Sequence, residues 1–122
     1  VVFYDRDALA WLEATLHPLV AAEYLQWREQ LATLPTPPGV CVTEVPLLYE
    51  TGGEERFDKV VVITAPSKLR RARSEVATDD RETRLIDDRE KVARADYSYT
   101  NIGTVEELDA FVASVMRDLA SA

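Results

Sequence analysis

Two carboxylates in the middle of the sequence, Glu44 and Glu50, stand where acid–base or metal chemistry could be done. Glu44 closes the apolar, β-branched run Val40-Cys41-Val42-Thr43, which Pro37-Pro38-Gly39 opens. A short run of this kind fits a strand buried on both faces, as in a parallel sheet. A carboxylate inside such a run needs a partner, a metal or water at the strand's end. Ligands of open α/β sheets bind just outside the carboxyl ends of strands, and Glu44 and Glu50 both fall there. A second group is basic. The stretch 68–94 holds 9 of the 14 Lys and Arg residues and 7 of the 22 Asp and Glu residues, so it is slightly positive in an acidic chain. If the protein handles an anion, arginines from this stretch are its ligands. His17 is the sole histidine, so no pair of histidines can share a metal within these residues. Standing before a proline, it reads as a helix cap, a packing residue or a ligand contact. Cys41, the lone cysteine, reads as a small buried apolar residue. It permits no internal disulfide and is compatible with the cytoplasm.

These groups need elements to hold them. Asp5 can cap a helix with Leu9, Leu12 and Leu16 on its apolar face. His17-Pro18 is expected to break it, because a residue before proline is pushed out of the α region. A second helix is expected from Pro18 to about Thr33, with Val20, Ala21, Tyr24, Leu25, Trp27 and Leu31 at helical spacing. After Glu50, Thr51-Gly52-Gly53-Glu54-Glu55-Arg56 reads as a loop, and Lys59 to Ala65 carries the strongest strand signal. Pro66-Ser67 opens a charged helical region with a break, reaching to Ala95. Asp80–Arg84, Asp87–Lys91 and Glu90–Arg94 are i,i+4 pairs in the favourable order there. Tyr97-Ser98-Tyr99-Thr100 predicts a third strand, and Thr104 with Glu107 a capping box. The last helix shows the stripe Leu108, Phe111, Val112, Val115 and Leu119. Trp11, Trp27 and Phe111 are expected in the core. Strands alternating with helices predict an α/β layered domain with a parallel sheet.

The 122 residues are 47% hydrophobic, enough for a packed core and too apolar for disorder. A net charge of −8 argues against general nucleic-acid binding. No apolar run approaches the roughly 20 residues of a membrane helix. The sequence opens at Val1 rather than Met, and three strands make a thin sheet, so an upstream portion is expected.

Several stretches resemble the C-terminal two-thirds of the dephospho-coenzyme A kinase family. They are Leu12-Glu13-Ala14 with Leu16-His17-Pro18-Leu19-Val20, then Val45-Pro46-Leu47-Leu48-Tyr49-Glu50-Thr51-Gly52, then Phe57-Asp58-Lys59-Val60-Val61-Val62. Ala65-Pro66 with Arg73 follows, then Glu90-Lys91 with Arg94-Ala95-Asp96, Asn101, and Gly103-Thr104 with Glu107-Leu108. The resemblance implies a P-loop kinase-like three-layer fold, a parallel sheet with flanking helices, here without the N-terminal P-loop strand. It implies transfer of the γ-phosphate of ATP to the 3′-hydroxyl of dephospho-coenzyme A, assisted by magnesium. Residues 1–38 would form the acceptor-side helical part and 39–65 the core strands. Residues 66–94 would form the lid region and 95–122 the closing strand and helix.

The same resemblance assigns roles. Arg73 is the first choice for an arginine reaching the phosphates, with Arg81 and Arg84 behind it; each could equally lie in a solvated helix laced with ion pairs. Glu44 would help hold the magnesium shell or bond to loop amides. Glu50 and His17 would face the acceptor, and Asn101 would read the adenine or simply turn the chain out of its strand. Departures are visible: no G-x-x-x-x-G-K-[ST] loop occurs, Leu85 stands where glutamine is frequent, and Glu44 replaces the usual aspartate before Pro-Leu-Leu. Without that loop the 122 residues are expected to be inactive by themselves, with the missing half supplied upstream or in trans. A non-catalytic module of the same fold, binding a partner chain or a coenzyme A-like ligand, is the alternative.

Overall fold

The computed structural model describes residues 5–73 and 86–121. The chain divides into two compact units, Val1–Glu44 and Val45–Ala122.

The first unit is built on one helix, α1 (Arg6–Ala32). Asp5 caps it: its Oδ1 accepts the N–H groups of Asp7 at 3.1 Å and Ala8 at 3.0 Å. The expected break at His17-Pro18 does not occur, and Pro18 lies inside the helix. Proline there removes one backbone donor and crowds the carbonyl of Ala14, a cost of about 3 kcal/mol. Good helix formers on both sides, chiefly Ala, Leu, Glu and Gln, outweigh it over 27 residues. The tryptophans are not core residues here. Trp11 is 69% exposed and Trp27 40%, and Leu9 is the buried side chain among the described residues of the unit. Within its own unit α1 has no second helix or strand to cover its apolar side chains.

The run expected as a strand, Val40 to Thr43, forms none. It is irregular, Val42 is 74% exposed and Cys41 is exposed too, so the buried setting expected for both is overturned. Branched side chains favour a pleated surface, but a strand exists only where another strand takes up its amides. Among the described residues only one ladder forms, and this run is not in it.

That ladder is in the second unit. Strands β1 (Val61–Thr64) and β2 (Tyr97–Thr100) pair in parallel, with Val61 opposite Tyr97 and Thr64 opposite Thr100. The connection includes helices α2 (Ser67–Arg73) and α3 (Asp88–Arg94), and α4 (Val105–Ala120) follows β2. The Asp96 Oδ2 accepts the Val60 N–H at 2.8 Å and closes the ladder's amino end. The Asn101 N–H donates to the Thr64 carbonyl at 2.7 Å and closes the other. Thr104 caps α4 as expected, its Oγ1 accepting the Glu107 N–H at 3.1 Å. Phe111 of α4 stacks on Tyr99 of β2 with ring centroids 4.8 Å apart, while Tyr49 and Val115 are buried. No helix among the described residues is long and apolar enough to cross a membrane.

Candidate functional site

Parallel strands end together, so β1 and β2 present Thr64 and Thr100 side by side, Oγ1 to Oγ1 at 3.4 Å. At this edge the backbone turns into Pro66, whose carbonyl accepts the N–H groups of Leu69 and Arg70 and starts α2. Arg73 is the last described residue of helix α2. The guanidinium of Arg73 returns to the strand ends, where its Nη1–H donates to the Asn101 carbonyl at 3.2 Å. No carboxylate pairs with Arg73 among the described residues, and the side chain is exposed. Arg70, three residues earlier, bonds the Ser67 hydroxyl at 3.2 Å and stands 3.7 Å from the Asp88 carboxylate of α3. The edge therefore carries the Arg73 guanidinium, two threonine hydroxyls and Asn101, groups suited to phosphate oxygens.

A second cluster lies around the turn after Pro46. The N–H of Gly53 donates to the Leu48 carbonyl at 2.9 Å and that of Gly52 to the Tyr49 carbonyl at 3.2 Å. Gly52 is left-handed, with φ 68°. This is a Schellman closure of a single helical turn, and it explains a glycine at that position. The turn aims Tyr49 and Glu50 at α3. The Glu50 Oε2 lies 2.8 Å from the Lys91 Nζ and accepts the Ile86 N–H at 3.4 Å. Both charged side chains are nearly buried, 11% and 15% exposed. Burial pushes the Glu50 carboxyl up, but Lys91 and the Ile86 amide together hold it below the usual carboxylate range. Arg94 covers the Tyr49 ring at 4.4 Å and pairs with Glu54 at 2.5 Å. Burial raises the Tyr49 phenol, against the opposing pull of Arg94. The Tyr49 hydroxyl, Glu50 Oε1 and Glu54 Oε2 are buried without hydrogen-bond partners among the described residues.

Two comparisons decide the lineage. The family profile described as dephospho-CoA kinase matches residues 1–107. The chain belongs to the dephospho-CoA kinase family. It is 34% identical to the dephospho-CoA kinase of Rhodopseudomonas palustris (strain BisB18) over 122 aligned positions, covering 94% of this chain and 60% of that protein. It is 31% identical to the dephospho-CoA kinase of Brucella melitensis, covering 98% and 62%, and 34% identical to that of Frankia casuarinae, covering 98% and 53%. The chain thus spans little more than half the length of these curated relatives. No solved structure matches it.

Against the dephospho-CoA kinase family, the residues singled out from sequence fall in several places. Arg73 and Asn101 come together at the strand ends. Glu50 lies in the buried cluster, engaged by Lys91 and Ile86 rather than solvated. His17 is half-buried within α1, and Glu44 is exposed in the irregular stretch ending the first unit. Arg81 and Arg84 lie outside the described residues, as does the Asp80–Arg84 pair. The Glu90–Arg94 pair forms at 3.6 Å, whereas Lys91 turns to Glu50 instead of Asp87. Asp87 caps α3, its Oδ1 accepting the Arg89 N–H at 2.9 Å. Sequence reasoning missed Lys91, Arg94 and Tyr49. The one local signal for them is Thr51-Gly52-Gly53, which marks a helical-turn terminus and so turns Tyr49 and Glu50 inward. A shallow hollow of about 340 Å³ beside Tyr97, Phe111 and Asp118 lies at the amino end of β2, away from this edge.

Proposed function

We propose that this chain is the acceptor-side and arginine-bearing part of a kinase that moves the γ-phosphate of ATP to the 3′-hydroxyl of dephospho-coenzyme A. The observation that supports it best is Arg73, whose guanidinium returns to the carboxyl ends of two parallel strands and bonds a carbonyl there, with no carboxylate partner among the described residues. Phosphoryl transfer asks the protein mainly for positioning and for charge stabilisation of the equatorial oxygens. An arginine without an acid partner is free to do that, while an arginine already neutralised is not. Arg73 takes the phosphate role, with Arg81 and Arg84 behind it. Asn101, at the carboxyl end of β2 with its backbone N–H on the Thr64 carbonyl, takes the adenine side. His17 takes an acceptor contact from the helical part, residues 1–38. Residues 39–65 and 95–122 supply the core and closing elements, and 66–94 the arginines.

Magnesium is the family's expected companion to ATP. Among the described residues no three His, Cys, Asp or Glu side chains gather as metal ligands. Glu44, the expected contributor, is exposed and irregular. The described residues therefore offer no built magnesium site, and no step runs through the metal here. The sequence also holds no G-x-x-x-x-G-K-[ST] loop, whose backbone and lysine cradle phosphates.

The test compares two proteins for ATP-dependent formation of coenzyme A. One is these 122 residues by themselves. The other is the same residues joined in frame to the part of the Rhodopseudomonas palustris kinase that the alignment leaves uncovered. The proposal expects no product from the first and product from the second. Product from the first, or none from a folded second, would overturn it.

A further inference from the structure

A relay of contacts runs inside the second unit from the Glu50 turn to the strand ends. Glu50 holds Lys91 of α3 at 2.8 Å and the Ile86 N–H, two residues ahead of α3, at 3.4 Å. One turn back on α3, Asp88 stands 3.7 Å from Arg70 of α2. Arg73 on α2 reaches the Asn101 carbonyl. Helix α3 has seven residues, and neither it nor the described part of α2 has a buried side chain. Elements with no buried side chain do not hold themselves, so their ties decide where they sit.

We infer that Glu50 and Lys91 are positioning residues: they seat α3, Asp88 on α3 seats α2 through Arg70, and α2 holds Arg73 at the strand ends. This rests on the reading of Arg73 as a phosphate ligand. Glu50 does not touch the acceptor in this role. Its Oε2 is occupied by Lys91 and Ile86, and its Oε1 is closed off from solvent. The contacts are contiguous and cross two helices, so coupling between them is measurable as non-additivity.

The test uses the gene product that carries these residues, as wild type, Glu50→Gln, Lys91→Met and the double variant. Two readouts are taken: kcat and KM for each substrate, and hydrogen exchange at the Leu69 and Arg70 amides of α2. Each single variant should lower kcat/KM for ATP about tenfold, and the double variant by the same tenfold rather than a hundredfold. KM for dephospho-coenzyme A should stay within about twofold. Exchange in α2 should rise in both single variants although neither residue touches that helix. The inference is overturned if Glu50→Gln raises KM for dephospho-coenzyme A while Lys91→Met does not, if the losses add, or if α2 exchange is unmoved. The exchange readout needs no turnover. A protein in which α2 responds but no phosphate is transferred refutes the kinase reading and keeps the relay.

Discussion

Replacing Lys91 with methionine should invert the way stability responds to acid. In the wild type the Glu50 carboxyl sits below its ordinary range, because Lys91 and the Ile86 amide outweigh its burial. Such a group contributes stability that is present above its unfolded pKa and is lost as pH falls through the folded one. Methionine keeps much of the lysine's volume and removes the cation. Burial, the largest single influence on Glu50, is then opposed only by amides, and the carboxyl should rise above its ordinary range. A raised carboxyl stabilises below the unfolded pKa and destabilises as pH climbs through the folded one. The cost near neutrality follows from exposure. The two side chains are 11% and 15% exposed, which places the pair between a surface pair of ~0.5 kcal/mol and a fully buried one of ~3–5 kcal/mol. We expect a loss of about 2 kcal/mol at pH 7, roughly 10 °C in Tm for a domain of this size. Urea unfolding from pH 7.5 down to 4 measures it. Lys91→Met should recover much of its deficit as pH falls from neutrality toward the ordinary glutamate value of about 4.3, while the wild type begins to lose stability only near and below that value. Glu50→Gln/Lys91→Met should be more stable at pH 7 than Lys91→Met alone, since no charge is left buried. A Lys91→Met deficit below about 0.5 kcal/mol that does not vary with pH would refute the reasoning.

Two further outcomes follow from the geometry. Gly52 is left-handed within the Schellman closure, so Gly52→Val should cost about 1–3 kcal/mol in thermal unfolding, whereas Gly39→Ala, with open space around it, should cost under about 1 kcal/mol. The Tyr97 hydroxyl donates to the Asp118 carboxylate at 2.5 Å, and that bond raises the phenol above its usual range. Ultraviolet titration should therefore show Tyr97, like Tyr49, ionising late in alkali, and Asp118→Asn should bring Tyr97 alone back toward the ordinary value; an unchanged titration curve would remove the bond from the account.

Much of the second unit is written locally. Tyr97 to Thr100 alternates and ends in Asn101, and it is a strand over those four residues. Val60 to Thr64 is a β-branched run, and four of its residues enter the ladder. Thr104 ahead of Glu107 announces the start of α4. The first unit shows where local signals stop. Val40 to Thr43 has strand chemistry, but pairing is a property of a neighbour, and the run is irregular. Pro18 carries a helix-breaking signal that the long favourable flanks override. At the strand ends, the position of Arg73 in a charged helical stretch and of Asn101 at a strand terminus was legible. Lys91 was not, because its partner Glu50 lies far away in sequence and Asp87 offers a plausible local alternative. An ion pair across the fold has no periodicity to betray it.

The central claim is that Arg73 meets transferred phosphate at the strand ends. It is tested most directly by following radiolabel from the γ-position of ATP into coenzyme A, using the chimera proposed above, with Arg73 and with Arg73→Ala. The account predicts label on the 3′-phosphate and a fall in kcat of roughly a hundredfold in the variant, with unfolding unchanged because the side chain is exposed. Label transferred equally well by Arg73→Ala, or label absent from the acceptor altogether, would contradict it.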